Sequence, residues 1–198
     1  MNATELIEFN RSHVLAGEFL RFATDDYLAC RVCLLNGLFP GLRLGAEAIE
    51  KYLKGFVLYA DPSHKKKYLH NIKDVAAAAS QKSPGFNTAQ FSHVIDHLER
   101  HYRQRYPDVP DFDYGASTGE LAGIDEFVLH IYESLPIPEA AKFRNVGYYF
   151  FVCCSWNPMP TPLVRYKEWL ESDNVALNPV RNSLIERYQA VERELKRR

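Results

Sequence analysis

The sequence has almost no net charge and no long apolar run. Its 198 residues include 24 Lys and Arg against 25 Asp and Glu, which gives a formal net charge of -1. Without a global positive field, contact with a nucleic acid has to come from a local basic patch. The longest apolar run, YYFFVCC, is too short to span a bilayer, and the first residues, MNATELIEFNRSH, lack the pattern of a signal peptide. We therefore expect a cytoplasmic protein with no membrane partner.

Cysteine is scarce, with four residues in the chain. In a reducing compartment we expect free thiols at Cys30, Cys33, Cys153 and Cys154, because the adjacent pair bridges only with strain. The spacing Cys30-x-x-Cys33 together with a second pair would supply four zinc ligands, but that second pair lacks the two-residue spacer of a zinc knuckle. Thiols that pack as small hydrophobes are favoured. The sequence thus predicts neither a disulfide nor a metal site.

Several motifs of catalysis are also absent. The chain contains no Gly-rich phosphate loop, nucleophile elbow or paired Cys-x-x-Cys module, so nucleotide hydrolysis, acyl transfer and zinc-ribbon DNA binding have no support. No cofactor is expected. The absence of internal repeats disfavours a solenoid. With 46% hydrophobic and 25% charged residues, the composition is that of an ordinary globular protein, and the length favours one domain over residues 1–198.

What the sequence does contain is a series of apolar stripes with helical spacing. The first predicts a helix from about Ser12 to Leu38, and the second predicts a helix from Leu42 to Ala60. Pro40 and Gly41 separate them, because neither residue continues a helix cheaply. We expect these two helices to form an antiparallel pair.

Further helices follow in the second half. A short alanine-rich helix is predicted after His70, two capping-box patterns begin at Asn87 and Ser117, and Asn178-Pro179 opens a last helix. Residues 138–173 are rich in aromatics. The sequence leaves open whether this segment is an insertion or subdomain added to the bundle or an integral part of it. The predicted fold class is all-α, an antiparallel helical bundle with an aromatic-rich additional C-terminal segment.

Three histidines recur every four residues on the helix that follows Asn87. They are His93, His97 and His101, a spacing that lets two imidazoles share a metal. The pattern lacks the glutamate of His-Glu-x-x-His, and the histidines lie on the side away from the apolar stripe of that helix. A solvated polar flank is therefore the favoured interpretation.

Three segments of the N-terminal half carry a further pattern, FLRFATDDYLACRVCLLNG, LGAEAIEKYLKGFVLY and HNIKDV. This pattern resembles the HEPN family of helical nucleotide- and RNA-associated domains, and the resemblance covers roughly residues 15 to 80. It implies a HEPN-like bundle in which Glu50, Lys51 and Lys54 help to fix the helical pair, while His70 caps or pins the third helix. The residues alone also allow a simpler role, because Glu50 and Lys54 form an ordinary i,i+4 ion pair on an exposed helix.

Catalytic HEPN members resemble metal-independent ribonucleases with an Arg, a polar residue and then a His in a late helix. Here Arg181 and Asn182 match the start, but Tyr188 stands where the histidine is expected, and Arg144-Asn145 is not followed by a histidine either. A phenol, with a reference pKa of about 10, is a poor base near neutrality. The resemblance implies that these five residues bind RNA or phosphate, with Arg181 holding a phosphate and Tyr188 stacking on a base. The residues alone equally allow Arg181 and Asn182 to bond neighbouring loops.

The functional expectation combines these points. The resemblance implies a homodimer that binds RNA or a nucleotide-bearing partner, without ribonuclease activity. One alternative is a metal-independent ribonuclease whose base is His70 or a histidine of the 93–101 stripe. Another is a catalytically silent scaffold whose aromatic second half contacts a partner such as a nucleotidyltransferase-like protein.

Overall fold

The computed structural model describes residues 3–64, 71–103, 118–144 and 167–197, and all regular secondary structure in these ranges is helical. This confirms the all-α prediction. The helices are α1 (Ala3–Ser12), α2 (Val14–Leu35), α3 (Pro40–Ala60), α4 (Ile72–Lys82), α5 (Ser92–Arg103), α6 (Thr118–Glu133), α7 (Glu139–Arg144) and α8 (Leu177–Arg197). A 3-10 turn, Ala89–Phe91, precedes α5, and residues 167–171 are also helical. None of the helices in these ranges has the length and apolar character needed to cross a membrane.

The N-terminal helix α1 was not predicted. The helix is interrupted at His13, a turn residue between α1 and α2. The His13 ring stacks on Phe9 at a centroid distance of 4.1 Å and on Tyr59 at 5.4 Å. The Ser12 hydroxyl donates to the Phe9 carbonyl at 2.8 Å, which satisfies a carbonyl at the end of α1. The long helix therefore starts at Val14 rather than Ser12, and the segment before it folds as a helix of its own.

Helices α2 and α3 pack closely and run antiparallel, as predicted. Near the loop, a Cβ added at Gly41 would lie 2.7 Å from Leu34 Cγ, and at the far end one added at Gly55 would lie 2.8 Å from Leu20 Cδ2. Higher numbers on α3 thus face lower numbers on α2. Pro40 occupies the first turn of α3, where its missing N–H costs no helical hydrogen bond. Side chains larger than glycine at positions 41 and 55 would force the pair apart.

The cysteines follow the expected pattern where the structure describes them. Cys30 is a buried free thiol between α2 and α3, and Cys33 is a half-buried free thiol. Burial raises the pKa of the Cys30 thiol, so it stays protonated and packs as a small hydrophobe. The pair Cys153 and Cys154 lies outside the described residues.

An ion pair between Arg31 and Asp125 lies at the centre of the bundle. Both side chains are fully buried, and Arg31 Nη1 donates to Asp125 Oδ2. The same guanidinium donates from Nε to the Trp169 carbonyl at 2.7 Å and from Nη2 to the Ser172 carbonyl. The Tyr27 hydroxyl donates to Asp125 Oδ1 at 2.5 Å. One buried cation thus joins α2, α6 and the segment that leads into α8.

The start of α8 is fixed by Asn174 in the same buried region. Its Oδ1 accepts from the Leu177 amide at 2.8 Å, and its Nδ2 donates to the Leu170 carbonyl at 2.9 Å. Leu170 and Leu177 are buried, as is Phe143 at the other described end of the aromatic-rich segment. The described parts of 138–173 therefore contribute to the core of the bundle. Val180 is exposed, although the helical spacing places it one turn before the buried Leu184.

Removing the Arg31 cation should unfold the bundle more readily. In Arg31→Met, Asp125 stays buried without its partner, so we expect the free energy of unfolding to fall by about 3–5 kcal/mol. The double variant Arg31→Met/Asp125→Leu should lose less, because no charge then remains to be desolvated. Urea unfolding followed by circular dichroism measures both. Arg193→Met, at an exposed position of α8, is the control, and an equal loss there would contradict a special role for Arg31.

Candidate functional site

The late-helix residues implied by the HEPN resemblance do not form an open site. Arg181 Nη2 lies 3.0 Å from Glu171 Oε1, and both side chains are partly buried. Asn182 is exposed. Tyr188 is buried, with its ring edge-on to Phe143 at a centroid distance of 5.6 Å. The face of α8 that carries Tyr188 packs into the bundle, so the Tyr188 ring is not accessible for stacking on a nucleobase.

The remaining predicted residues of that group fall at or beyond the edges of the described ranges. Arg144 is the last residue of α7. Asn145 lies outside the described residues, and so does His70, the residue expected to pin the third helix. That helix is α4 in the structure, and Asn71 caps its start. The Asn71 Oδ1 accepts from the Lys73 amide at 2.9 Å.

The predicted charged residues of α3 form ion pairs, one of which crosses to α2. Lys51 Nζ contacts Asp26 Oδ2 of α2 and lies 3.5 Å from Glu47 Oε2. Lys54 Nζ donates to Glu50 Oε1 at 2.5 Å, and Glu50 is buried. Lys51 thus joins α2 to α3, whereas Glu50 and Lys54 pair along α3. Of these residues, Lys51 therefore acts in the packing of the pair.

The histidine stripe of α5 is not the solvated flank that the sequence predicts. His93 is exposed, His97 is half-buried and His101 is buried, with Phe39 edge-on to the last ring at a centroid distance of 5.2 Å. The prediction is correct for His93 and wrong for His101, because α6 and the start of α3 pack against this side of α5 beyond His93. Within the described residues no group of three or more His, Cys, Asp or Glu has a geometry that could hold a metal ion.

Packing of α6 beside this stripe forms a cleft of about 480 Å³, here called the α5–α6 cleft. Its volume lies within the range of small-molecule sites. Polar and apolar side chains line it together. They come from His93, Val94, Asp96, His97, Leu98 and Arg100 on α5 and from Gly119, Glu120, Gly123 and Ile124 on α6.

Two glycines one turn apart explain why α6 approaches α5 and leaves space there. A Cβ added at Gly123 would lie 2.9 Å from Val94 Cγ2 and 3.9 Å from His93 Nε2. Gly119 stands on the same face of α6, four residues earlier. A glycine inside a helix costs about 1 kcal/mol relative to alanine. The cost is offset where a bare backbone permits the close contact and forms one wall of the cleft.

The charges in the cleft are unequally paired. His97 Nε2 lies 2.8 Å from Glu120 Oε1, an ion-pair distance, although the two atoms are not aligned as a hydrogen bond. Asp96 Oδ1 lies 2.6 Å from Lys73 Nζ of α4. Arg100 is exposed and forms no ion pair with any described residue. The carboxylates of the cleft are thus occupied, and the guanidinium is left for an anion.

This arrangement combines two kinds of chemistry. An exposed guanidinium binds phosphate or carboxylate with paired hydrogen bonds. Imidazoles change charge near neutrality and serve as acids, bases or anion ligands. His93, His97 and Arg100 lie on one face of α5, four and three residues apart. The cleft therefore presents an anion-binding group beside two titratable groups.

Sequence reasoning named the histidines but missed the cleft. It assigned Glu120 to a capping box and considered His93 and His97 as metal ligands, as solvated residues or, in one alternative, as the base of a ribonuclease. The available signal was the pair Gly119 and Gly123, spaced like one helical face and placed opposite a polar stripe. Nothing in the sequence indicates that the glycine face of α6 packs against α5.

Enlarging Gly123 should separate α5 from α6. In Gly123→Ala the new methyl group would clash with the β-branched side chain of Val94. The stability lost by overpacking, about 1–3 kcal/mol, outweighs the roughly 1 kcal/mol gained in helix propensity. We expect a net loss of stability in urea unfolding. Gly85→Ala, in a turn, is the control for overpacking alone, because a Cβ there meets nothing within 4 Å. Stabilisation of Gly123→Ala would show that the close approach is not needed.

Comparison with known proteins identifies no relative. No family model, no curated protein and no solved structure matches this chain. The interpretation of the α5–α6 cleft therefore depends on its own residues.

Proposed function

We propose that the protein binds RNA or a nucleotide-bearing partner, and that the α5–α6 cleft contacts the phosphate. The observation that carries the proposal is the exposed Arg100, which has no carboxylate partner among the described residues and lines a cleft with His93 and His97. The HEPN resemblance of the N-terminal half supports the same ligand class. It also motivates the proposal that the protein acts as a homodimer.

Electrostatics favour this cleft over the late-helix residues. The chain has a net charge of -1, so attraction of a phosphate depends on cations that are not already neutralised. Arg181 has Glu171 at 3.0 Å, and a phosphate would have to displace that carboxylate. Arg100 requires no such exchange. The neutral chain can thus bind phosphate locally without a basic surface elsewhere.

Removing the Arg100 guanidinium should weaken RNA binding at least tenfold. Hydrogen bonds to charged groups contribute about 1.5–3 kcal/mol, and 1.4 kcal/mol corresponds to a factor of ten. Fluorescence anisotropy with a labelled pool of single-stranded RNAs at low salt measures the loss in Arg100→Ala. Wild-type binding should also weaken as salt increases.

Two arginine variants serve as controls for this measurement. Arg11→Ala removes an exposed cation from α1, whose main contacts are α2 and α7, and should leave the affinity unchanged. Arg181→Ala should likewise have little effect. Loss of binding in Arg181→Ala but not in Arg100→Ala would move the site to α8, and equal affinities of all variants would refute the proposal.

A second candidate function is cleavage of RNA without a metal. The contact between His97 and Glu120 favours it, because a carboxylate 2.8 Å away stabilises the positive charge that an imidazole acquires when it takes a proton. In such a reaction His97 takes the proton of a 2′-hydroxyl and the 2′-oxygen bonds to phosphorus. The bond to the 5′-oxygen then breaks, and His93 gives that oxygen its proton. Arg100 balances the charge on the phosphate.

Cleavage can be tested separately from binding. Wild-type protein in EDTA should cut a labelled RNA and leave the 2′-deoxy analogue intact, since the deoxy strand lacks the attacking hydroxyl. His97→Gln should slow cleavage by about 10²–10⁴-fold, the usual contribution of one acid–base group. His64→Gln, outside the cleft, should cut at the wild-type rate. RNA that stays intact with wild-type protein would exclude the ribonuclease and leave the binding function as proposed.

A further inference from the structure

We infer that the α5–α6 cleft selects a terminal phosphate, such as that of a mononucleotide or a phosphorylated RNA end, over the internal phosphodiester of a strand. The charge of His93 and His97 controls this selection. The inference rests on the proposed phosphate-binding function and adds the ligand class and its pH dependence.

The charges that face the imidazoles nearly cancel when both rings are neutral. Arg100 contributes one positive charge, and Glu120 of α6 contributes one negative charge. Asp96 contributes another negative charge, which Lys73 of α4 offsets from outside the cleft at 2.6 Å. Neutral imidazoles therefore leave little attraction for an anion beyond the local contact with Arg100.

Protonation of the two imidazoles adds two positive charges to this balance. A terminal phosphate carries about -1.5 to -2 charges at pH 7, whereas a phosphate within a strand carries one. His93 and His97 lie one helical turn apart, with Arg100 close to one turn further on. The protonated cleft thus matches the charge of a terminal phosphate and exceeds that of a diester.

The neighbours of the two rings also matter for this titration. His101, on the next turn, lies edge-on to His97 at a centroid distance of 4.4 Å, and it is buried. Glu120 Oε1 approaches His97 Nε2 from α6 at 2.8 Å. His93 is exposed at the cleft and contacts no described acidic group.

The shape of the cleft agrees with a small ligand. Val94, Leu98 and Ile124 contribute apolar surface, and Val94 against Gly123 closes the space between the helices. About 480 Å³ is in the range of small-molecule pockets.

Isothermal titration calorimetry with two matched RNA trinucleotides tests the inference. One carries a 5′-phosphate and the other a 5′-hydroxyl, and both are titrated at pH 6.2 and pH 8.0 at constant ionic strength. We expect the phosphorylated trinucleotide to bind at least tenfold tighter at pH 6.2 than at pH 8.0. The hydroxyl form should bind more weakly and change less than threefold.

Variants assign the pH dependence to the two histidines. His93→Gln and His97→Gln should each reduce the tenfold change, and circular dichroism checks that both remain folded. His93→Lys keeps a positive charge at both pH values, so it should bind the phosphorylated trinucleotide at pH 8.0 more tightly than the wild type does. His64→Gln, outside the cleft, should behave as the wild type.

The outcomes separate this inference from the function on which it rests. Equal and pH-independent binding of both trinucleotides, still lost in Arg100→Ala, would refute selection of a terminal phosphate and keep the phosphate-binding function. No binding of either trinucleotide at either pH would refute both. A pH dependence that persists in a protein carrying both glutamine substitutions would also overturn the inference.

Discussion

The buried ion pair of Arg31 and Asp125 is the interaction on which the arrangement of the bundle depends. A charge pair moved from water to the interior is costly unless its other hydrogen-bonding groups are also satisfied. Here the Trp169 and Ser172 carbonyls accept from the guanidinium, and the Tyr27 hydroxyl donates to the carboxylate. These geometric requirements select one position of α6 and of the segment before α8 relative to α2. A purely apolar contact would allow more sliding.

Helix α6 connects this buried pair with the cleft. Asp125 faces the core, while Gly123 contacts Val94 of α5 and Glu120 lies beside His97. A shift of α6 along its axis would break the ion pair and the close helix contact together. The position of Glu120 is therefore set by interactions in the core rather than by the exposed residues of the cleft. This is how a buried charge pair can preorganise a site at the surface.

The sequence was sufficient to predict features that depend on helical periodicity. It was insufficient to predict features that depend on which helices pack against each other. The stripe of α6 and the antiparallel pair α2 and α3 follow from apolar spacing. Arg31 and Asp125 lie beside the apolar stripes of α2 and α6, but periodicity does not show that two charged side chains will meet there, so their pairing and burial could not be predicted. His101 is buried for a similar reason, since the start of α3 covers it. The α5–α6 cleft needs both helices in place, and only its glycine spacing is visible beforehand.

Pairing, rather than composition, decides where a nearly neutral chain can attract phosphate. Lys51, Lys73 and Arg181 each lie beside a carboxylate, and their charge is largely offset there. Arg100 projects from the same helix as Asp96, but that carboxylate already faces Lys73 of α4. An ion pair between α4 and α5 thereby leaves a guanidinium available at the cleft. The local positive potential is thus a consequence of helix packing, and it exists although the whole chain has a net charge of -1.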